Sequence, residues 1–270
     1  MDIKYHKIHS EILRQDFEFK VYGHSGKPVL VFPTSCGRFF DYEDKGMLEP
    51  LTPFIERGDI RLVCVDGRDW ESWYKPQKDE WIAIRNSHYE SCVCRDVVPF
   101  LEKEYGISER YISTGNSMGA FHAVNFALKF PELFDGTIAL SGVYNFVSEL
   151  QGFYEPGLYF HIPLYYLPKL DDAKILTQLR ESYFIVAHGT GAWETFNEQA
   201  RELAQLLSAK GIPNYYDVWS TYYAHDWYTW KEMIVKHLDL LKSGVWLNGA
   251  ETRLVGPQRR ILTQKALSAS

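Results

Sequence analysis

Short runs of Val, Ile and Leu alternate along this chain with longer amphipathic stretches, and this alternation constrains the fold more than any other feature. Several of the runs are apolar at successive positions, which is typical of strands that are covered on both faces. Strands that alternate with helices indicate an α/β fold with a mostly parallel, twisted sheet and helices on both faces. We predict strands at residues 17–22, 28–32, 60–65, 111–114, 136–140, 183–187 and 215–219, and helices at residues 84–105, 117–130, 195–210 and 228–241.

Composition narrows the class of protein. The 270 residues, 46% of them hydrophobic and 24% charged, can form one large core without disulfide or metal staples. The net charge is −6 and there is no long basic run, so we expect neither a nucleic-acid partner nor binding to an anionic membrane surface. No apolar stretch has the length of a transmembrane helix, and residues 1–19 lack the apolar region of a signal peptide.

Cysteine usage predicts the compartment. The chain has four cysteines, and no two of them form a Cys-x-x-Cys pair; they are Cys36, Cys64, Cys92 and Cys94. This pattern fits neither a disulfide framework nor a zinc ribbon. We therefore expect reduced thiols and a cytoplasmic location.

Two regions depart from the alternation. Residues 144–176 carry eight aromatic side chains among Pro, Gly and Asp, which predicts a packed aromatic insertion or lid within a single domain of residues 1–243. Residues 244–270 form a tail that holds four basic and no acidic residues from Arg253 onward. A short extra helix, a partner-contacting segment and a frayed end all remain open for this tail.

The strongest local motif is Gly-Asn-Ser-Met-Gly at residues 115–119, between a predicted strand and a predicted helix. The pattern Gly-x-Ser-x-Gly in this context is the nucleophile elbow, a sharp turn that projects the hydroxyl of Ser117 above the sheet. The alternative is an ordinary turn in which Ser117 caps the helix. A serine nucleophile needs a base that follows it in the chain. We favour His225, in the loop after the last predicted strand, over His188 as this base. The alternative for His225 is a residue at a helix N-terminus that takes no part in chemistry.

The elbow followed by Ala-Phe-His-Ala, the stretch 134–144 and the late His225-Asp226-Trp227 together resemble the "Putative esterase" family. This family is the esterase D and mycolyltransferase branch of the α/β-hydrolases. The segments 32–39 and 189–194 resemble a bacterial subgroup of it. The resemblance covers about residues 15–243 and implies an α/β-hydrolase fold and a serine hydrolase that acts on carboxylic esters without a cofactor.

The resemblance implies an acid after the strand at 183–187, but the expected position holds Ala192, and the nearest carboxylate is Glu194. Glu194 could orient the imidazole of His225 or simply begin a helix. The other candidate acids are Asp217, Asp171 and Asp172. For the oxyanion hole we expect the backbone N–H of Met118 and a second donor that is either Ser35 or Cys36. Cys36 itself is interpreted as a loop residue near the substrate.

Aromatic side chains are expected to line the ester pocket, namely Trp70, Trp73, Tyr74, Tyr144 and Tyr159. Residues 189–194 match a dinucleotide fingerprint only in part, because Glu194 stands where the third glycine belongs, and no metal-binding motif is present. The partner we expect is a small or medium ester, without metal or cofactor, and a homo-oligomer is left open. An acyltransferase with the same acyl-enzyme and a non-catalytic hydrolase-like binding protein are the alternative functions.

Overall fold

The structure is a computed structural model that describes residues 1–240. The predicted tail and the last residues of the predicted domain lie outside the described residues, so the domain boundary stays a prediction. Eight strands form one sheet; they are β1 (Ile3–Ser10), β2 (Gln15–Tyr22), β3 (Lys27–Phe32), β4 (Ile60–Val65), β5 (Tyr111–Asn116), β6 (Phe134–Leu140), β7 (Tyr183–His188) and β8 (Asn214–Val218).

The sheet runs in the order β1-β2-β4-β3-β5-β6-β7-β8. The first two pairings, β1 with β2 and β2 with β4, are antiparallel, and every later pairing is parallel. The mostly parallel α/β sheet that the sequence predicts is therefore confirmed. Since parallel strands end at the same edge, the loops that follow β3, β5, β6, β7 and β8 meet on one side of the molecule.

Helices cover both faces of the sheet. They are α1 (Asp41–Asp44), α2 (Leu48–Glu56), α3 (Trp81–Cys92), α4 (Val98–Tyr105), α5 (Met118–Lys129), α6 (Pro163–Tyr166), α7 (Ala173–Arg180), α8 (Asn197–Ala209) and α9 (Trp227–Leu240). Within residues 1–240 none of them combines the length and the apolar character needed to cross a membrane.

Alternation along the strands divides the core into two layers. In β3, Leu30 and Phe32 join the cluster that packs against α3, α4, α5 and α8, whereas Val29 and Val31 join the cluster that packs against α2 and α9. Successive side chains of a strand point to opposite faces, so a run that is apolar throughout can fill both layers. Helix α5 lies deepest, with every residue from Met118 to Leu128 buried.

The structure contains strands and helices that the sequence did not predict. Strand β1 was not predicted, because it is an edge strand whose sequence, Ile-Lys-Tyr-His-Lys-Ile-His-Ser, is largely exposed and has no apolar face. The predicted helix at 84–105 begins earlier, at Trp81, and contains a π-helical turn at Val93–Val97 between α3 and α4. Helix α2 was also missed, since Pro50 and Pro53 lie within its sequence.

The aromatic insertion packs on the domain through its own apolar cluster. Phe146, Leu150, Leu158 and Ile162 are buried together with side chains of α3 and α5. Its short 3-10 segments are Ser148–Leu150, Pro156–His161 and Leu167–Lys169, and it also contributes α6 and the start of α7. The insertion is thus a packed part of the domain, and it is built from short helical turns.

A buried polar cluster anchors the insertion to α3 and α5. His161 Nδ1 lies 3.1 Å from Glu90 Oε1 and 2.9 Å from Asn86 Nδ2, and Lys129 Nζ donates to Glu90 Oε2 at 2.6 Å. Burial by itself raises the pKa of Glu90, but the hydrogen bond to His161 and the charge of Lys129 outweigh it, so the pKa of Glu90 lies below its ordinary value. An ionised Glu90 therefore joins the insertion to α3 and α5.

Replacing Lys129 by Met should destabilise the fold because it leaves the buried carboxylate of Glu90 with one partner fewer. We expect the free energy of unfolding at pH 7 to fall by about 3 kcal/mol. A carboxyl whose pKa is lowered by folding stabilises the native state above its unfolded pKa, and this stabilisation fades as the pH falls through the folded pKa. The difference between variant and wild type should therefore shrink below about pH 4.5.

Urea unfolding followed by circular dichroism at pH 7 and pH 4 measures this difference. The control is Lys174→Met on the exposed face of α7, which should change the free energy by less than about 0.5 kcal/mol. Equal losses for the two lysine variants at pH 7 would contradict the anchoring role of Lys129.

Candidate active site

Five polar side chains gather at the edge where the parallel strands end. Ser35 follows β3, Ser117 follows β5, Ser141 follows β6, Glu194 lies in the loop after β7, and His225 lies in the loop after β8. In open α/β sheets this edge is where ligands bind. The fold thus brings together residues that are far apart in the chain.

Ser117 has a strained backbone. Its φ of 55° and ψ of −119° lie in a region that residues other than glycine rarely adopt. The conformation is held by the N–H of Ser117, which donates to Leu140 O at 2.9 Å. The strain aims the side chain away from the buried helix α5 and toward the open edge.

The two glycines of the motif allow strand and helix to approach each other. A Cβ added at Gly119 would lie 2.3 Å from Phe32 O, and one added at Gly115 would lie 2.4 Å from the carbonyl carbon of Gly119. Both distances are far shorter than any van der Waals contact. A side chain at either position would push α5 away from β3 and β5, so the motif is a packing requirement as well as a chemical one.

The imidazole of His225 lies between a hydroxyl and a carboxylate. Its Nε2 is 3.0 Å from Ser117 Oγ, and its Nδ1 is 3.4 Å from Glu194 Oε2. For Nε2 to accept the hydroxyl proton, the neutral ring must carry its hydrogen on Nδ1, which then faces Glu194. The Nδ1 distance is longer than a typical hydrogen bond, as is common before a substrate binds.

Glu194 is held by donors on its other oxygen. Its side chain is only 2% exposed, and Oε1 accepts from Ser141 Oγ at 2.6 Å and from the Gly189 N–H at 3.1 Å. The hydroxyl of Ser141 in turn accepts from Trp230 Nε1 at 3.0 Å. The indole of Trp230 also packs edge-on against His225, with ring centroids 5.0 Å apart. Trp230 thus contacts both His225 and Ser141, the residue that donates to Glu194.

The loops that carry Glu194 and His225 lie directly against each other. The N–H of Gly191 donates to Tyr223 O at 2.9 Å, and the N–H of His225 donates to Ala192 O at 2.9 Å. A Cβ at Gly189 would lie 1.9 Å from Tyr223 O. This contact needs a glycine and sets the distance between Glu194 and His225.

The other carboxylates that the sequence offered as the acid have different partners. Asp217 accepts from Trp219 Nε1 and from Lys236 Nζ, both at 2.7 Å, and lies 3.3 Å from His237. Asp172 caps α7, where its Oδ1 accepts two backbone N–H groups at 2.9 Å. Asp171 is exposed beside it. The structure brings only Glu194 of the four to His225.

Two backbone N–H groups lie in the segments that follow β3 and β5 and are the oxyanion donors that the sequence offers. Met118 is the first residue of α5, so its N–H has no acceptor within the helix. Among residues 1–240 no acceptor bonds the N–H of Ser35, whereas the N–H of Cys36 donates to Asp69 Oδ2 at 3.1 Å. Burial and the nearby charge of Asp69 raise the pKa of the Cys36 thiol to about 12. Cys36 is therefore a neutral thiol whose amide is already occupied.

The aromatic residues expected around an ester differ in their placement. Tyr74 is half-buried, and its hydroxyl lies 2.8 Å from Ser35 Oγ. Trp70 is 65% exposed, whereas Trp73 and Tyr144 have no exposed surface. Trp73 donates to Asn86 Oδ1 at 2.9 Å inside the core. Of these side chains, Tyr74 and Trp70 are the ones that a ligand could contact without rearrangement.

Tyr159 does not lie near the candidate active site. It lines a cavity of about 330 Å³ together with Leu128, Lys129 and residues 169–172. Leu128 and Lys129 end α5, whereas Ser117 precedes its first residue, so the 12-residue helix separates them by about 16 Å. The structure does not bring Tyr159 to Ser117, because the insertion carries it over the far end of α5.

Several residues of the site were missed by sequence reasoning. Ser141 and Trp230 support Glu194, and a buried pair of Asp69 with His122 Nε2, 2.9 Å apart, lies beside the Ser35 loop. The available signals for Ser141 were its position directly after a predicted strand and its place in the stretch 134–144 that carries the family resemblance. Within residues 1–240 there is no group of three or more His, Cys, Asp or Glu side chains arranged to hold a metal ion.

Comparisons with known proteins place this geometry in context. The family model described as "Putative esterase" matches residues 55–241. No curated protein sequence matches the chain. A solved ferulic acid esterase has a similar structure, with 15% identity and a TM-score of 0.71 over 90% of this chain and 98% of that one.

Two further solved structures are similar. An S-formylglutathione hydrolase from Agrobacterium tumefaciens shares 18% identity with a TM-score of 0.68, over 88% of this chain and 93% of that one. Mycobacterium tuberculosis MPT51 shares 13% identity with a TM-score of 0.64, over 90% of this chain and 98% of that one. At these identities the structures establish the shared fold.

Removal of the Ser141 hydroxyl should lower the reactivity of Ser117. In Ser141→Ala, Glu194 loses a charge-assisted hydrogen bond, and His225 is held less firmly. We expect the rate at which a fluorophosphonate labels Ser117 to fall on the order of tenfold. Labelling followed by intact mass gives the rate, and Ser148→Ala, at an exposed serine, is the control. Equal rates for both variants would show that Ser141 does not support the acid.

Proposed function

This chain belongs to the "Putative esterase" family, and from that premise we propose that it is a serine carboxylic-ester hydrolase acting through an acyl-enzyme on a small or medium ester. The observation that carries the proposal is the continuous contact from Ser117 Oγ to His225 Nε2 and from His225 Nδ1 to Glu194. A serine hydroxyl is a weak nucleophile at neutral pH, and a neighbouring base is what activates it.

The first half of the reaction forms the acyl-enzyme. Ser117 Oγ attacks the carbonyl carbon of the ester while its proton moves to His225 Nε2. The carbonyl oxygen becomes an oxyanion, which accepts hydrogen bonds from the N–H groups of Met118 and Ser35. His225 then gives the proton to the alkoxy oxygen, the C–O bond breaks, and the alcohol leaves.

The second half repeats these steps with water. His225 removes a proton from a water molecule as the water oxygen attacks the acyl carbon, and the same two N–H groups hold the new oxyanion. Collapse of this intermediate breaks the bond to Ser117 Oγ, which regains its proton from His225 and releases the carboxylic acid. The carboxylate of Glu194 stabilises the imidazolium that forms in both halves.

Tyr74, Trp70 and Cys36 are our candidates for substrate contacts. Tyr74 and Cys36 adjoin the proposed oxyanion donor, and Trp70 is exposed beside Asp69. Trp73 and Tyr144 are buried, so we do not assign them a direct contact with the ester. The cytoplasmic location and the absence of nucleic-acid partners stay predictions.

Treatment with a fluorophosphonate followed by intact-mass measurement tests the nucleophile. We expect one adduct on the wild type and none on Ser117→Ala. Absence of an adduct on folded wild-type protein would overturn the hydrolase mechanism and favour a non-catalytic binding protein.

Substrate class is tested by a panel of aryl and alkyl esters of increasing acyl length, with product analysis in the presence of an added alcohol. Release of free acid that is insensitive to the alcohol is expected for a hydrolase. Transfer of the acyl group to the alcohol as the main product would make the protein an acyltransferase instead.

The acid is tested by Glu194→Gln, which removes the charge that orients and stabilises the His225 imidazole. We expect kcat to fall by roughly 10³- to 10⁴-fold on the best ester of the panel. The matched control is Asp217→Asn, at a buried carboxylate of β8 that the sequence also offered as the acid, for which kcat should stay within about twofold of wild type while stability decreases. The reverse result, with Asp217→Asn inactive and Glu194→Gln active, would reassign the acid.

A further inference from the structure

A buried carboxylate–imidazole pair lies beside the proposed active site but takes no part in the mechanism above. Asp69 Oδ1 is 2.9 Å from His122 Nε2, and the two side chains are 2% and 5% exposed. His122 lies on α5, one turn after Ser117, and is enclosed by the rings of Phe32, Tyr89 and Phe121. A polar pair enclosed in this way has a fixed position relative to the helix that begins at Met118.

The other oxygen of Asp69 holds the loop after β3. Asp69 Oδ2 accepts the N–H of Cys36 at 3.1 Å, and Cys36 has a left-handed backbone with a φ of 56°. The segment that begins at Asp69 makes a second contact with the same loop, because the hydroxyl of Tyr74 lies 2.8 Å from Ser35 Oγ. Asp69 therefore holds the loop at Cys36, directly after Ser35, whose N–H has no acceptor among residues 1–240.

These contacts form one path from the helix to the loop. It runs from α5 through His122 to the Asp69 carboxylate, and from there to the Cys36 amide and the adjoining Ser35 peptide. The N–H of Met118 is fixed by the same helix. His122 and Asp69 therefore link the helix that carries the Met118 N–H to the loop that carries the Ser35 N–H.

We propose that Asp69 and His122 are positioning residues that hold the second oxyanion donor, the N–H of Ser35, at its working distance from the N–H of Met118. The proposal rests on the hydrolase function proposed above. An oxyanion hole stabilises charge that exists only in the transition state, so a misplaced donor lowers kcat and leaves KM almost unchanged. Asp69 and His122 touch no substrate in this scheme.

Asp69→Ala removes both contacts. We expect kcat on the best ester to fall on the order of 10- to 100-fold with KM within about twofold of wild type, since loss of a whole donor costs roughly 10²- to 10³-fold. Asp69→Asn keeps an oxygen that can accept the Cys36 N–H, so it should recover most of the lost kcat. His122→Gln should lower kcat less than Asp69→Ala, because the bond to Cys36 remains.

The chain contains a matched control for a purely structural effect. His161 is also a buried histidine bonded to a buried carboxylate, Glu90, but it is part of the insertion anchor and does not contact the Ser35 loop. His161→Gln and Glu90→Gln should lower the unfolding temperature without changing kcat. If they reduce kcat as much as His122→Gln and Asp69→Ala do, the effect reflects general stability and the positioning role is overturned.

A second readout is independent of catalysis. Hydrogen exchange of a peptide that covers residues 33–39 should be faster in Asp69→Ala than in wild type, because the Cys36 amide loses its acceptor, and Asp69→Asn should restore the protection. If a folded Asp69→Ala variant shows unchanged exchange and unchanged kcat, the positioning inference is overturned. The hydrolase function would still stand in that case, provided that a fluorophosphonate labels Ser117 of the wild type. An unlabelled wild type with faster exchange in Asp69→Ala would instead reject the function and retain the loop contact.

Discussion

The strained backbone of Ser117, with its positive φ, is the constraint on which the rest of this structure depends. A residue other than glycine in such a conformation costs on the order of 1–3 kcal/mol and persists only where its surroundings hold it in place. Here the surroundings are the bond from Ser117 N–H to Leu140 O and the burial of α5 from Met118 to Leu128. Gly115 and Gly119 allow that burial, because any side chain there would meet backbone atoms of β3 or α5. The strain at one residue is therefore supported by the packing of a whole helix.

Parallel strands then convert this local turn into a site. Ser117 and His225 are separated by 108 residues in the chain, yet both follow strands that end at the same edge of the sheet. The loop after β7 and the loop after β8 touch along their backbones at Gly189 and Tyr223. Glu194 is then fixed by Ser141 and by the Gly189 N–H before any substrate is present. Groups that are held in advance need little reorganisation when charge develops, which is the main requirement for electrostatic stabilisation of a transition state.

Some elements of the fold and the site could be predicted from the sequence, and others could not. The central strands and α5 were predictable because their apolar runs and the elbow motif are strong local signals. Edge strand β1 was not, since an exposed strand carries no apolar face, and α2 was hidden by its prolines. Ser117 and His225 could be named as candidates from their positions after predicted strands. The pairing of Asp69 with His122 could not, because nothing in either local sequence indicates that a loop and a helix 53 residues apart will meet.

By itself the sequence determined the fold class, the family resemblance and the position of the strained serine, because each of these depends on local patterns of a few residues. Which carboxylate meets His225 was decided only by the tertiary structure. Glu194, Asp171, Asp172 and Asp217 were all reasonable in the sequence, and three of them are directed elsewhere by a helix cap, an exposed position or a neighbouring lysine. The placement of Tyr159 at the far end of α5 was decided in the same way. The physical reason is that a side chain's partners are set by how loops from distant strands pack together, and local residue patterns carry no information about those contacts.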